Sequence, residues 1–133
     1  MPETFPKSCR ITHAREFQAV HNARLSLVVG PVRIMGLPRT PTAAVPAPIA
    51  RLGLSVGKKL GKANVRVRCK RIIREAFRLI RHTLPPVDIV VHIYPHAELP
   101  PAAYQDAIRQ GASHIMARFQ SRQGRHRPSD RLP

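Results

Sequence analysis

Tryptophan is absent, and four phenylalanines and two tyrosines are the only aromatic residues among 133. Acidic residues are also scarce: seven Asp and Glu stand against 23 Lys and Arg, for a formal net charge of +16 with histidines neutral. So few acids cannot neutralise the basic surface from within, and a polyanionic partner is expected outside the chain. No apolar run approaches the 18 or so residues of a membrane span, and the start MPETFPKSCR has no apolar stretch behind basic residues. A cytoplasmic protein is expected on that ground. Cys9 and Cys69 lie far apart with no CxxC or Cys/His ligand spacing, so neither a disulfide framework nor a structural zinc site is expected. His92 and His96 are spaced HxxxH, but Pro95 and the preceding β-branched run argue against the helix that would bring two imidazoles together.

What the chain does have is 43% hydrophobic residues, enough for one core in a chain of this length. Residues 12–22 suit a short helix capped by Thr12, with Phe17, Val20 and His21 on one face. Residues 25–29, LSLVV, read as a strand. Residues 31–50 contain five prolines and read as a loop insertion, with at most an edge pairing at 32–35, because proline removes a backbone donor and fixes φ. Residues 51–56, RLGLSV, alternate as a half-buried strand whose polar face, Arg51, Gly53 and Ser55, is left for solvent or a ligand. Gly57 and Gly61 mark a basic turn, and Asn64 is the expected cap of a helix from Val65. Residues 88–94, DIVVHIY, read as a buried strand. From Pro100 onward Tyr104, Ala107, Ile108, Gly111, Ile115 and Phe119 form a helical stripe expected to pack on the sheet. Residues 121–133 carry four arginines and two prolines without apolar periodicity and are expected to be a disordered tail beyond a single domain of residues 1–120.

The informative segment is residues 65–82, VRVRCKRIIREAFRLIRH. At about 100° per residue, Arg66, Lys70, Arg71, Arg74, Arg78 and Arg81 share an arc of roughly 140°, with Val65, Cys69, Ile72, Ile73, Ala76, Leu79 and Ile80 opposite and Arg68 at the border. An ordinary solvated helix face interleaves both signs, whereas here only Glu75 offsets the ridge. Lys58, Lys59 and Lys62 precede it, so a nucleic-acid surface is the reading. No helix-turn-helix or zinc-finger spacing is present, and a basic helix beside a strand face suits folded or single-stranded RNA better than a regular major groove.

The run RLGLSVGKKLGKANVRVRCKRIIREAFRLI, residues 51–80, resembles the signature region of the bacterial ribonuclease P protein component, with its GLSVSKK strand, GKA turn and RNRxKRxIRExFR helix. FPKSCRI at 5–11, REF at 15–17 and the acidic-led strand from Asp88 are similar to other parts of that family. The resemblance implies an α/β sandwich of two layers, with a mixed sheet of about four strands, three helices and a left-handed βαβ crossover. It also implies a subunit of a ribonucleoprotein that hydrolyses one phosphodiester to remove the 5′ leader of precursor transfer RNA. The RNA subunit would be the catalyst, at 1:1 with the protein, and Mg2+ would be held mainly by RNA. The acids of this chain are scattered, with no carboxylate set for a two-metal displacement, which disfavours a protein-only nuclease.

Carried over by the resemblance, Arg66, Arg68, Lys70, Arg71 and Arg74 would contact the catalytic RNA, supported by Lys58, Lys59, Lys62 and Arg78. Arg10, Phe17, His21 and Ser55 would form the leader cleft, with Phe17 stacking on a base or serving only as core. The sequence departs from the family at Val67, in place of the asparagine of RNR, at His21, where a second cleft aromatic is common, and at Gly57, in place of a serine. The rival class is a structural RNA-binding protein or RNA chaperone that uses the same ridge without supporting cleavage.

Overall fold

Alternating β-branched residues in the middle of the chain build a four-stranded mixed sheet: β1 (Ser26–Val29), β2 (Val32–Pro38), β3 (Arg51–Val56) and β4 (Val87–Ile93), in the order β1-β2-β4-β3. The computed structural model describes residues 7–125. β1 and β2 form an antiparallel hairpin in which Val29 pairs with Val32 and Gly30 turns the chain at φ +57°. β2 pairs antiparallel with β4, and β3 pairs parallel with β4.

The expected loop over 31–50 is corrected by β2, which is an interior strand and not an edge. Its prolines explain both the error and the outcome. Pro31 lies in the hairpin turn and Pro38 ends the strand opposite Val87, so the six residues between them keep every ladder donor. Those residues alternate, with Val32, Ile34 and Gly36 buried. The true irregular segment is 39–50, and Arg39 still donates its backbone N–H to Pro86 O at 2.9 Å.

On one face of the sheet lie α2 (Ala63–Ile80) and α3 (Pro101–Arg125). Ile73, Ala76, Phe77 and Ile80 of α2 and Tyr104, Ile108 and Ile115 of α3 close the main core over Ile34, Leu52, Ile89, Val91 and Ile93. Gly111 lets α3 lie directly on β2, because a Cβ there would run into Ile34. On the opposite face α1 (Ala14–Ala23) packs Val20 and Phe17 against Ile11, Met35, Leu37 and Val90. Three helices and a four-stranded mixed sheet match the expected α/β class, with α1 adding a partial layer that the two-layer reading did not include.

Of the polar face of β3, Ser55 lines a concavity, while Gly53 and Arg51 are covered. Gly53 lies beneath Phe17, whose Cε1 would stand 2.6 Å from an added Cβ. Arg51 is held between layers, donating to both carboxylate oxygens of Asp88 at 2.7 Å and pairing with Glu16 of α1 at 2.7 Å.

Helix ends shift for local reasons. α1 begins at Ala14 with His13 at the N-cap, not Thr12, and the Glu16 carboxylate accepts the His13 backbone N–H at 3.4 Å. α2 begins at Ala63 with Lys62 at the N-cap, because Gly61 at φ +143° reverses the chain before Asn64 is reached. It ends at Ile80, and Arg81 and His82 fall in a 3-10 turn. α3 continues to Arg125, so residues 121–125 of the expected tail are helical, and residues 126–133 lie outside the described residues.

Candidate RNA interface

The fully buried residues of α2 begin at Ile73, and the turns before it are half-buried or exposed. This half carries most of the predicted RNA contacts. Arg71 and Arg74 are exposed, Arg66 and Lys70 are half-buried, and Lys59 and Lys62 are exposed at the turn that also contains Lys58. The Arg66 Nε is a buried donor with no acceptor among the described residues, a cost that a phosphate oxygen would remove. Two of the predicted cations already hold carboxylates: Arg68 pairs with Glu98 at 2.6 Å, and Arg78 pairs with Glu75. The hydrogen bond and charge of Glu98 raise the Arg68 pKa, and those of Arg68 hold the Glu98 carboxyl below its ordinary value.

The helical wheel needs rotation. Val65 and Leu79, placed on the packed side, are 46% and 56% exposed, whereas Phe77 is fully buried at its centre. The fully buried stripe is narrower than the sequence implied: it is Ile73, Ala76, Phe77 and Ile80, with Cys69 and Ile72 partly buried against the core. Arg81, placed on the ridge, turns inward and donates to Cys9 Sγ at 3.2 Å. Val67 is 53% exposed, an apolar group on the outward surface.

A groove runs along α1 over the sheet. One chamber of about 370 Å³ is lined by Phe17, His21, Met35, Ser55 and Val90. The next, about 700 Å³, shares Gln18, Val20, His21 and Met35 and adds Asn22, Arg24, Ser26 and Arg33. On the other side of Phe17 a cleft of about 240 Å³ brings Arg10 together with Lys70 and Arg74 of α2. Phe17 therefore both packs over Gly53 and walls two concavities, and the four predicted cleft residues line this system. Partial burial would raise the Glu16 carboxyl, but the hydrogen bond and charge of Arg51 outweigh it, leaving that carboxyl below its ordinary value. The same contacts, that to Asp88 foremost, raise the Arg51 pKa and fix α1 as the groove wall.

Arg24, Ser26 and Arg33 of the outer chamber were not singled out in the sequence, whereas Ser55 was. Arg33, His92 and Ser55 lie in one cross-strand rung, and His92 Nδ1 is 3.0 Å from Ser55 Oγ. The signal was the alternation of Arg33 and Met35 with buried Val32 and Ile34, hidden inside the proline-rich window. His92 lies on a strand, while His96 sits in the following loop with Nε2 2.7 Å from the Tyr104 hydroxyl, so the HxxxH pair does not converge. Cys9 is buried and Cys69 half-buried, both as free thiols. Among the described residues no group of three or more His, Cys, Asp or Glu is placed to hold a metal ion. No helix among them is long and apolar enough to cross a membrane.

Comparison with known proteins bears on this surface. The chain is 38% identical over 95 residues to the "Ribonuclease P protein component" of Chlamydia abortus, covering 66% of this chain and 60% of that protein's length. It is 31% identical to the Chlamydia caviae protein of the same description, covering 95% of this chain and 85% of the relative. Among solved structures, the Staphylococcus aureus RNase P protein superposes with a TM-score of 0.63 at 25% identity, covering 85% of this chain and 96% of that one. The Thermotoga maritima RNase P protein superposes with a TM-score of 0.55 at 29% identity, covering 63% and 72%. With the family model described as Ribonuclease P matching residues 5–120, the chain belongs to the ribonuclease P protein family.

Proposed function

We propose that the chain is the protein subunit of ribonuclease P, acting in the cytoplasm at 1:1 with a catalytic RNA to promote hydrolytic removal of the 5′ leader from precursor transfer RNA. The observation that carries this reading is the continuity of the surface. The ridge of Arg66, Lys70, Arg71 and Arg74 meets the α1 groove through the cleft that Arg10 and Phe17 share with Lys70 and Arg74. A ridge alone would suit any RNA, whereas a ridge opening into a single-strand-sized groove suits an RNA that is folded on one side of a bond and extended on the other.

In this reading the first turns of α2 dock on the folded catalytic RNA, and the orphaned Arg66 donor finds its acceptor there. Phe17, His21 and Ser55 line the path of the leader. The protein supplies positive potential and positioning, and Mg2+ belongs to the RNA, where these cations lower the phosphate repulsion that the metal must otherwise screen.

The test is cleavage of 5′-labelled precursor transfer RNA by a bacterial ribonuclease P RNA at low Mg2+, with and without the protein. Accurate cleavage should be restored by the wild type and poorly by an Arg66→Ala/Arg68→Ala variant. An RNA chaperone would instead bind many RNAs alike and leave cleavage unchanged with any matched RNA subunit.

A further inference from the structure

A cavity of about 210 Å³ lies at the front of α2, between the 3-10 turn of Lys58–Leu60, the first turns of the helix and the loop from β4 to α3. It shares no lining residue with the α1 groove or with the cleft at Arg10. Leu60, Val65, Cys69 and Tyr104 give it apolar walls, and Arg68, His96 and Glu98 stand among them. It has room for one planar ring and not for a ligand of drug size, whose sites run to about 300–1,000 Å³.

Most polar groups of this cavity are already satisfied. The Tyr94 carbonyl can only accept, so the neutral His96 ring donates to it from Nδ1 at 2.8 Å and leaves Nε2 to accept from the Tyr104 hydroxyl at 2.7 Å. That hydroxyl in turn accepts the Leu99 N–H at 3.3 Å. Burial pushes the Cys69 thiol up, as an apolar setting does. What stays available is the Glu98 carboxylate: its oxygens accept Arg68 Nε at 2.6 Å and Nη2 at 3.2 Å, and each keeps a second lone pair. Cations interleave the lining in the sequence, with Lys59 and Lys62 exposed and Arg66 carrying the unsatisfied Nε. An apolar slot with one acceptor among cations suits a flat ring that carries a donor and hangs from a phosphate chain.

We infer that this cavity takes one unpaired base of the RNA subunit, its ring against Leu60, Val65 and Cys69 and its exocyclic amino group donating to Glu98, while the flanking phosphates meet Lys59, Lys62 and Arg66. The inference rests on the proposed function and deepens it: the front of α2 reads a base by insertion as well as holding phosphates. Adenine, guanine and cytosine carry such an amino group and uracil does not, so the pocket selects against uracil.

The experiment measures binding of the RNA subunit, and of an unrelated structured RNA of equal length, to the wild-type chain, to Glu98→Ala and to the cavity-filling Cys69→Met. If Glu98 only competes with phosphates for Arg68, Glu98→Ala binds both RNAs more tightly and with a steeper salt slope. A base acceptor gives the opposite sign: the RNA subunit is held about fivefold or more weakly, and the unrelated RNA as well as before or better. Cys69→Met should show the same selective loss. One nucleotide of the RNA subunit, stripped of its exocyclic amino group, should weaken binding to the wild type and make no difference to Glu98→Ala. Unchanged or tighter binding of the RNA subunit by Glu98→Ala, equal loss on both RNAs, or the absence of such a nucleotide overturns the inference. Should urea unfolding show that Cys69→Met does not fold, Glu98→Ala on its exposed loop and the amino-deletion series decide alone. If the wild type binds the RNA subunit no better than the unrelated RNA, the proposed function fails as well, whereas a failure confined to the variants removes only the pocket.

Discussion

Arg51 is the residue on which the groove wall depends. It bridges Asp88, which is 8% exposed, and Glu16 on α1, so removing it leaves that nearly buried carboxylate with the longer contact to Arg39 at 3.7 Å and frees the helix. Arg51→Met is expected to cost about 2–3 kcal/mol, discounted from the fully buried case because the side chain retains some solvent contact. The pH dependence has a definite sign. The folded-state pKa of Glu16 is depressed, so its contribution is present above the ordinary carboxylate value and is lost as pH falls through the depressed folded value. Urea midpoints measured from neutral to acid pH should therefore fall less steeply for Arg51→Met than for the wild type; parallel curves would show that the pair carries no linkage. None of this was visible in the sequence, where Glu16, Arg51 and Asp88 stand far apart; the strand register joins Arg51 to Asp88, and the packing of α1 on the sheet adds Glu16.

At the scale of elements, α1 ends on an arginine in a backbone conformation that favours glycine: Arg24 has φ 54° and ψ 35°. Its backbone N–H caps His21 O at 3.3 Å, so the turn is made by the main chain and the side chain is spare. Arg24→Gly should raise stability by about 0.5–1 kcal/mol in thermal or urea unfolding while weakening RNA binding. A variant both less stable and unchanged in RNA binding would count against a role for this side chain. Elements with strong local patterns were legible: β3 was read at its observed bounds, and β4 within one residue. β2 was not, because prolines in its turn and at its end colour the whole window, whereas only donors inside the strand matter. The rotation of α2 was illegible because a wheel assumes equal burial along a helix, and here full burial starts at Ile73.

At the scale of the molecule, a net charge of +16 lowers the stability of the free protein through self-repulsion, and any bound polyanion relieves it. RNA present at about 100 times its Kd should add about 2.7 kcal/mol to the unfolding free energy, and the gain should fade as salt rises. A melting temperature insensitive to RNA at low salt would contradict the ridge as a binding surface. The ridge was legible because charge needs no tertiary context. The groove was only partly so, because its outer chamber is assembled by β1, β2 and the end of β4.

The order of the strands also sets the order of events during synthesis. β4 lies between β2 and β3, yet it is the last strand to be made, and α2 precedes it. Until residue 93 has left the ribosome, β2 and β3 have no partner between them, and the apolar stripe of α2 has only part of its core. The strongly basic helix is therefore made before the strand that completes its core, and the late central strand closes the sheet and the core together.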